Sequence, residues 1–289
     1  MRHLAALSAQ SWAGIAALLL LAGAGVWGYR DLGVRSAALA RSSAELEAKN
    51  IELSDALYQA QQGLAAVQER LGGFENTVGD ISGTVDVLEK LKDTDREILQ
   101  KYSKVFFLSE HYAPARLAQI EPAYTYNPDR AEKISAQVRP FLEDMLNDAR
   151  DDKVDLFVKS AYRSFEEQKA LKSAYTVTYG AGTANAFSAD QGYSEHQLGT
   201  TMDLVGSKQS ALTAAFDTTP GYVWLVENAH KYGFVISYPK SNAYYVYEPW
   251  HWRFVGVKLA TYLHTHDKYF YDLEQRQIDE YLPDVFDGV

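Results

Sequence analysis

The sequence predicts an α+β domain with a small, mainly antiparallel sheet flanked by helices, preceded by an N-terminal transmembrane helix and a long coiled-coil helix. Three observations predict it. Trp12 to Tyr29 is an apolar run without a charge. Residues 39–88 repeat apolar positions every seven residues. Beyond residue 95, β-rich and helix-periodic segments alternate without a regular βαβ repeat, and most of the 20 Tyr and 12 Phe fall there.

Composition sets the limits. At 289 residues and 47% apolar content, the chain can bury a sizeable core. Its 28 basic and 38 acidic residues leave a net charge of −10. Such a chain repels phosphate backbones, so nucleic acid is not an expected partner. There is no cysteine. Disulfides, thiolate zinc sites and cysteine nucleophiles are excluded, and any metal must use His, Asp or Glu.

Residues 1–11 form a short leading segment. Trp12–Tyr29 follows, 18 residues long and just sufficient for a spanning helix, with Trp12, Trp27 and Tyr29 as interfacial aromatics. Ala22-Gly23-Ala24 has the small-residue pattern of a cleavage site. The apolar run continues past it, which favours an uncleaved anchor. Only Arg2 precedes the span, whereas Arg30, Arg35 and Arg41 follow it, so charge alone points the C-terminal side to the cytoplasm.

Residues 30–95 are expected to form a stalk. One heptad position reads Ser43, Asn50, Leu57, Leu64, Leu71, Val78, Val85; its partner reads Leu39, Leu46, Leu53, Ala60, Val67, Phe74, Ile81, Leu88. All but Ser43 and Asn50 are apolar, which makes a coiled-coil seam of about seven heptads and predicts a homo-oligomer. Glycines at 63, 72, 73, 79 and 83 weaken its second half, and the competing arrangements are a single long helix or an antiparallel hairpin at Gly72-Gly73.

Residues 96–289 carry the globular domain. Asn127-Pro128-Asp129 predicts a helix start, with Ile134, Val138, Phe141, Leu142 and Met145 on its buried stripe. Val154–Lys159 reads as a strand, and Ser164-Phe165-Glu166-Glu167 as a capping box that opens the next helix. Residues 180–193, rich in Gly, Ala and Ser, read as a loop over a site. Thr219-Pro220 opens a helix ending at Gly233. Gly233–Tyr238 and Tyr244–Val255 read as a hairpin, and Val257–Leu282 as mainly helical.

The chemistry lies in the histidines. Of seven, His3 precedes the span, and His230, His264 and His266 fall near helix ends, where the dipole favours a cationic imidazole. His111, in Ser109-Glu110-His111-Tyr112, is a further candidate for a place near a site. His196 stands in a loop with Asp203 seven positions later, at the start of an apolar strand. His251 lies with Glu248 in Glu-Pro-Trp-His-Trp, a polar pair among aromatics that needs partners. The expected site is zinc on His196, Asp203 and His251, one ion per chain, with Glu248 as general base; three protein ligands leave the fourth position open. Arg163 sits at a strand-to-helix junction, where it can hold a substrate carboxylate or an oxyanion, or else form an ordinary surface salt bridge. Gln168, one helical turn beyond Ser164, can point to the same place.

These segments together resemble the VanY-type D-alanyl-D-alanine carboxypeptidases. The pattern S-x-H-x-x-G-x-x-x-D matches Ser194, His196, Gly199 and Asp203; E-P-W-H-x-R-x-V-G matches Glu248, Pro249, Trp250, His251, Arg253, Val255 and Gly256; S-x-Y-R-S then Gln matches Ser160, Tyr162, Arg163, Ser164 and Gln168. The lead-in Gln100–Leu108 is similar too. The resemblance implies His196, Asp203 and His251 as zinc ligands, Glu248 as base, Arg163 as the substrate or transition-state clamp, and Gln168 and Ser194 lining the substrate site. Three positions depart from it: Thr201 where alanine is usual, Ser237 where arginine is frequent, and Gln191-Gly192 for Pro-Gly.

The expected function is a membrane-anchored zinc D,D-carboxypeptidase that removes terminal D-alanine from peptidoglycan stem peptides. That substrate requires the catalytic domain on the extracytoplasmic (periplasmic) side of a single-pass anchor in the bacterial cytoplasmic membrane, and it overrides the arginine count. The alternatives are an L,D-carboxypeptidase acting on stem tetrapeptides, and a scaffold that binds stem peptides without cutting and recruits partners through the coiled coil.

Overall fold

The computed structural model describes residues 9–102, 107–179, 189–206, 211–240 and 242–288. His3, the lead-in residues 103–106 and most of the expected loop, 180–188, lie outside them. The chain divides into two compact units, Met1–Ser82 and Gly83–Val289; the second begins within the segment read above as stalk.

The described residues of the first unit are helix. Helix α1 runs from Ala9 to Asp93, 85 residues without a break. It passes through Gly72-Gly73, so the hairpin is not formed. Its N-terminal part is long and apolar enough to cross a membrane by length and composition. The heptad leucines are all exposed, Leu39 at 71% and Leu53 at 67%, so the stripe is uncovered among the described residues.

The second unit is a mixed α/β domain with small antiparallel sheets. Inside it, the last turns of α1 are fastened by Lys90, whose Nζ lies 2.7 Å from Asp287 and 3.3 Å from Asp284. Strands β1 (Leu117–Gln119) and β2 (Lys133–Ser135) make an antiparallel pair. The main sheet has four antiparallel strands in the order β3 (Phe157–Ser160), β4 (Thr201–Val205), β6 (His251–Phe254), β5 (Phe234–Ile236). Helix α2 (Arg139–Asp151) lays Phe141, Leu142, Met145, Leu146 and Ala149 into the core beneath the sheet. Such side chains contribute roughly 1.5–3 kcal/mol each when fully buried.

Helix α3 (Phe165–Tyr179) starts at the expected capping box: Ser164 N–H donates to Glu167 Oε2 at 2.7 Å, and Glu167 N–H to Ser164 Oγ at 3.3 Å. Helix α4 (Pro220–Asn228) is capped by Thr219 and continues as a 3₁₀ turn, Ala229–Tyr232, that Gly233 ends at φ +82. Helices α5 (Val257–Thr265) and α6 (Gln275–Asp279) close the unit. The expected hairpin is β5 and β6, joined by the long segment between Ile236 and His251.

One helix start is corrected. Asn127 caps no helix; its Oδ1 accepts the Asp129 N–H at 3.1 Å in a local turn. Ile134 belongs to β2, and the helix opens at Arg139 with Pro140 in its first turn. The start that forms, at Pro140, lies twelve residues beyond Pro128, because the residues between include the strand that pairs with Leu117–Gln119.

Candidate active site

Register places the site. Asp203 on β4 and His251 on β6 are direct cross-strand partners, as are Thr201 and Arg253. Partners of this kind share one face with Cβ atoms roughly 4.5–5.5 Å apart. The intervening pair, Met202 and Trp252, points to the other face and packs in the core. Thr201 is fully buried there, so the β-branched residue is accommodated beside Arg253.

His196 arrives from a 3₁₀ turn, Glu195–Leu198, that precedes β4. Gly199 ends this turn at φ +66, where an added Cβ would stand 2.8 Å from Pro114. Glycine adopts that conformation without steric cost, and any other residue would push the turn off its seat.

His196, Asp203 and His251 are all buried, and each offers one ligand atom within 4.8 Å of the others. His196 Nε2 lies 3.3 Å from Asp203 Oδ2, and His251 Nδ1 lies 3.3 Å from Asp203 Oδ1. The outward nitrogens are already engaged: His196 Nδ1 with the Ala161 carbonyl at 2.7 Å, and His251 Nε2 with Glu195 Oε2 at 3.0 Å. One nitrogen of each imidazole therefore faces the same carboxylate. That donor set suits zinc, and backing each imidazole with an acceptor is how metal-binding histidines are usually oriented. The residues fit the ion.

The charges are strongly mutual. Burial disfavours an ionised Asp203, but His196 and His251 overcome it and hold the carboxyl well below the usual carboxylate range. Burial and the Arg163 charge push His196 down to about 4. Burial also disfavours a protonated His251, yet hydrogen bonds to Asp203 and Glu195 raise it to about 9. A cation at this point takes the place of that proton.

Glu248 Oε2 lies 3.6 Å from His251 Nδ1. Burial raises its carboxyl to about 7, which suits a group that takes up and returns a proton near neutrality. Arg163, Gln168, Ser194 and Glu248 line one cleft of about 990 Å³ together with His196, Asp203 and His251. Arg163 stands where β3 gives way to α3, and its N–H donates to the His196 carbonyl at 3.2 Å. Gln168 Nε2 donates to the Ala189 carbonyl at 2.8 Å, and Ser194 is buried at the head of the 3₁₀ turn. Every residue expected at the site thus borders the same cleft.

The remaining described histidines do not border it. His111 is exposed, with Glu110 3.4 Å away. His230 and His264 stack on each other with centroids 3.7 Å apart, and His266 packs against Tyr262.

Sequence reasoning missed Glu195, and had Arg253 only as a motif match and Ser237 only as a departure from the motif, with no place for either beside the site. Arg253 Nη1 lies 2.7 Å from Glu195 Oε1, with both side chains fully buried. Ser237 Oγ donates to the same oxygen at 2.9 Å. The serine that stands in place of arginine is therefore turned inward behind His251, and it is absent from the cleft lining.

Donors able to hold a metal, a carboxyl near neutrality and a guanidinium, all open to one cleft, form a site equipped to hydrolyse an amide. The family profile of VanY, D-alanyl-D-alanine carboxypeptidase, matches residues 131–257. The Bacillus subtilis protein YodJ, assigned as a carboxypeptidase, is 32% identical over 188 residues, covering 63% of this chain and 68% of YodJ. The structure of the LdcB LD-carboxypeptidase superposes with a TM-score of 0.56 at 31% identity, over 61% of this chain and 84% of that one. A vancomycin-resistance D,D-pentapeptidase VanY in complex with Zn(II) gives a TM-score of 0.51 at 26% identity, over 61% and 97%. The chain belongs to the VanY family and is an enzyme of the carboxypeptidase class.

Proposed function

We propose that this chain is a membrane-anchored zinc D,D-carboxypeptidase that removes the terminal D-alanine of peptidoglycan stem peptides. The observation that carries the reading is the convergence of His196, Asp203 and His251 beside Glu248 and Arg163 in one cleft. His196, Asp203 and His251 hold one zinc ion per chain. Zinc held there supplies a Lewis acid, which polarises the scissile carbonyl and makes water nucleophilic at neutral pH.

The chain's own groups do the rest. Glu248 accepts the proton of the attacking water and delivers it to the departing amine nitrogen. Arg163 pairs with the terminal carboxylate of the substrate or with the oxyanion formed at the carbonyl. Gln168 and Ser194 line the substrate site and help set its orientation. A cleft of about 990 Å³ lies at the upper end of the range roughly 300–1,000 Å³ for ligand sites, so it has room for a peptide several residues long.

A second reading, an L,D-carboxypeptidase acting on stem tetrapeptides, is favoured by the likeness to LdcB. Product masses separate the two. Incubation with a stem pentapeptide ending in D-Ala-D-Ala should release one D-alanine and stop at the tetrapeptide. Cleavage of a tetrapeptide with the pentapeptide left intact would replace the D,D reading by the L,D one.

The apolar start of α1 supports a single-pass anchor with the catalytic unit on the extracytoplasmic face, where peptidoglycan lies. The uncovered heptad stripe on α1 supports self-association as a coiled coil. The full chain in detergent should sediment as a dimer or higher oligomer, and replacement of Leu53 and Leu57 by lysine should return it to monomer. A monomeric parent at micromolar concentration removes the oligomer from the proposal.

A further inference from the structure

Behind His251, on the side away from the cleft, the acceptor on Nε2 belongs to a larger buried polar cluster. Its centre is Glu195, with no exposed surface. Oε1 of Glu195 takes three donors: Arg253 Nη1 at 2.7 Å, the Tyr271 hydroxyl at 2.8 Å and Ser237 Oγ at 2.9 Å. Oε2 is left for one contact, His251 Nε2, at 3.0 Å. Arg253 is anchored in turn, donating through Nη2 to the carbonyls of Ile98 and Gln100 at 2.8 and 2.9 Å, with its guanidinium 4.4 Å from the Phe270 ring centre.

We propose that Glu195 is a positioning residue for His251, and that Arg253, Tyr271 and Ser237 hold Glu195 for that task. The inference rests on the reading of His251 as a metal donor. An imidazole has two nitrogens, and the hydrogen bond made by one decides which of them keeps the lone pair. An acceptor fixed at Nε2 keeps the proton there and makes Nδ1, which faces Asp203 Oδ1 at 3.3 Å, the nitrogen that gives up its proton to a cation. A carboxylate in that role also raises the basicity of the ring as a ligand. Ring rotation is blocked as well. Tyr238 stacks on His251 with centroids 4.0 Å apart and planes at 10°, and Tyr245 stacks on Tyr238 at 4.0 Å.

The other histidine shows the same logic with a different acceptor. His196 Nδ1 meets the backbone carbonyl of Ala161. No substitution removes that carbonyl, whereas the acceptor behind His251 is a side chain and can be altered. Burying a carboxylate and a guanidinium is expensive, and a buried pair is weak support for stability by itself. A task at His251 accounts for placing the pair here.

The test is zinc affinity of the full chain in detergent, by competition against a chromophoric chelator. Glu195→Gln keeps the shape and an acceptor but removes the charge. Glu195→Asp keeps the charge but withdraws the acceptor from His251. Each should bind zinc roughly 10–100-fold more weakly than the parent. Zinc binding equal to the parent in both variants, with only the melting temperature lowered, would make the cluster structural and overturn the proposal. Should neither variant fold, Ser237→Ala decides, since it removes one donor from Oε1: weaker zinc binding supports the positioning role, and parent-like binding overturns it. A parent that binds no zinc would instead bring down the metal reading itself, a result distinct from unchanged affinity in the variants.

Discussion

Glu248→Ala is expected to lower the rate of terminal residue release by 10²–10⁴-fold, on the order of what a positioned general base contributes, while zinc content stays equal to the parent's. The separation follows from geometry. Glu248 is not among the three mutually close donors, and its Oε2 stands 3.6 Å from His251 Nδ1, at the edge of the cluster. It comes from the loop before β6, and its backbone N–H donates to the Tyr238 carbonyl at 3.0 Å, so the loop keeps its course without the side chain. Burial holds its carboxyl at about 7, far above an exposed glutamate, which makes it a stronger base than a solvated carboxylate would be. Turnover of a stem peptide and bound zinc should be measured on one preparation. Activity within tenfold of the parent removes Glu248 from the proton-transfer role. Loss of zinc together with activity reassigns it to the metal.

The donors were legible in the sequence because strand pairing respects local pattern. Asp203 precedes the apolar Leu204-Val205 and His251 sits in an aromatic stretch, and a polar residue within such a strand signals a partner across the sheet. The register that makes them neighbours was not legible, since it is set by long-range pairing of β4 with β6, 48 positions apart. Glu195 was hidden differently. It lies between Ser194 and His196, where the motif reads as an unspecified spacer, and its partner Arg253 is 58 positions away. The available signal was an acid next to His196 and an arginine two residues after His251. Glu195 alone looks like an ordinary surface charge and Arg253 like a motif position without a task; only burial shows that they pair.

The same distinction explains the fold. The capping box at Ser164 and the Thr219-Pro220 start are complete within four residues, so the sequence was sufficient to place them. The choice between Pro128 and Pro140 was not local, because it depended on β1 pairing with β2. The unbroken course of α1 through Gly72-Gly73 shows the reverse. A glycine in a helix costs about 1 kcal/mol relative to alanine, a sum that continuous hydrogen bonding across 85 residues overrides.

Arg253→Met should cost the catalytic unit about 3–5 kcal/mol, the loss typical when one partner of a buried ion pair is removed. For a domain near this size, 1 kcal/mol shifts the melting temperature by about 2–4 °C, so a fall of roughly 6–20 °C is expected. Methionine fills much of the same volume, so little of the loss comes from a cavity. The loss comes from what stays behind. Glu195 keeps its charge without the guanidinium that, against burial, holds its carboxyl at about 2. The carbonyls of Ile98 and Gln100 lose their shared donor as well. These two sources are separable by a double-mutant cycle. If the uncompensated carboxylate dominates, adding Glu195→Gln to Arg253→Met should recover stability, because the second change removes the stranded charge. If the double variant is less stable than Arg253→Met by the full cost of Glu195→Gln alone, the pair is uncoupled, and Arg253 serves the 3₁₀ turn at Arg96–Leu99 rather than the carboxylate behind His251.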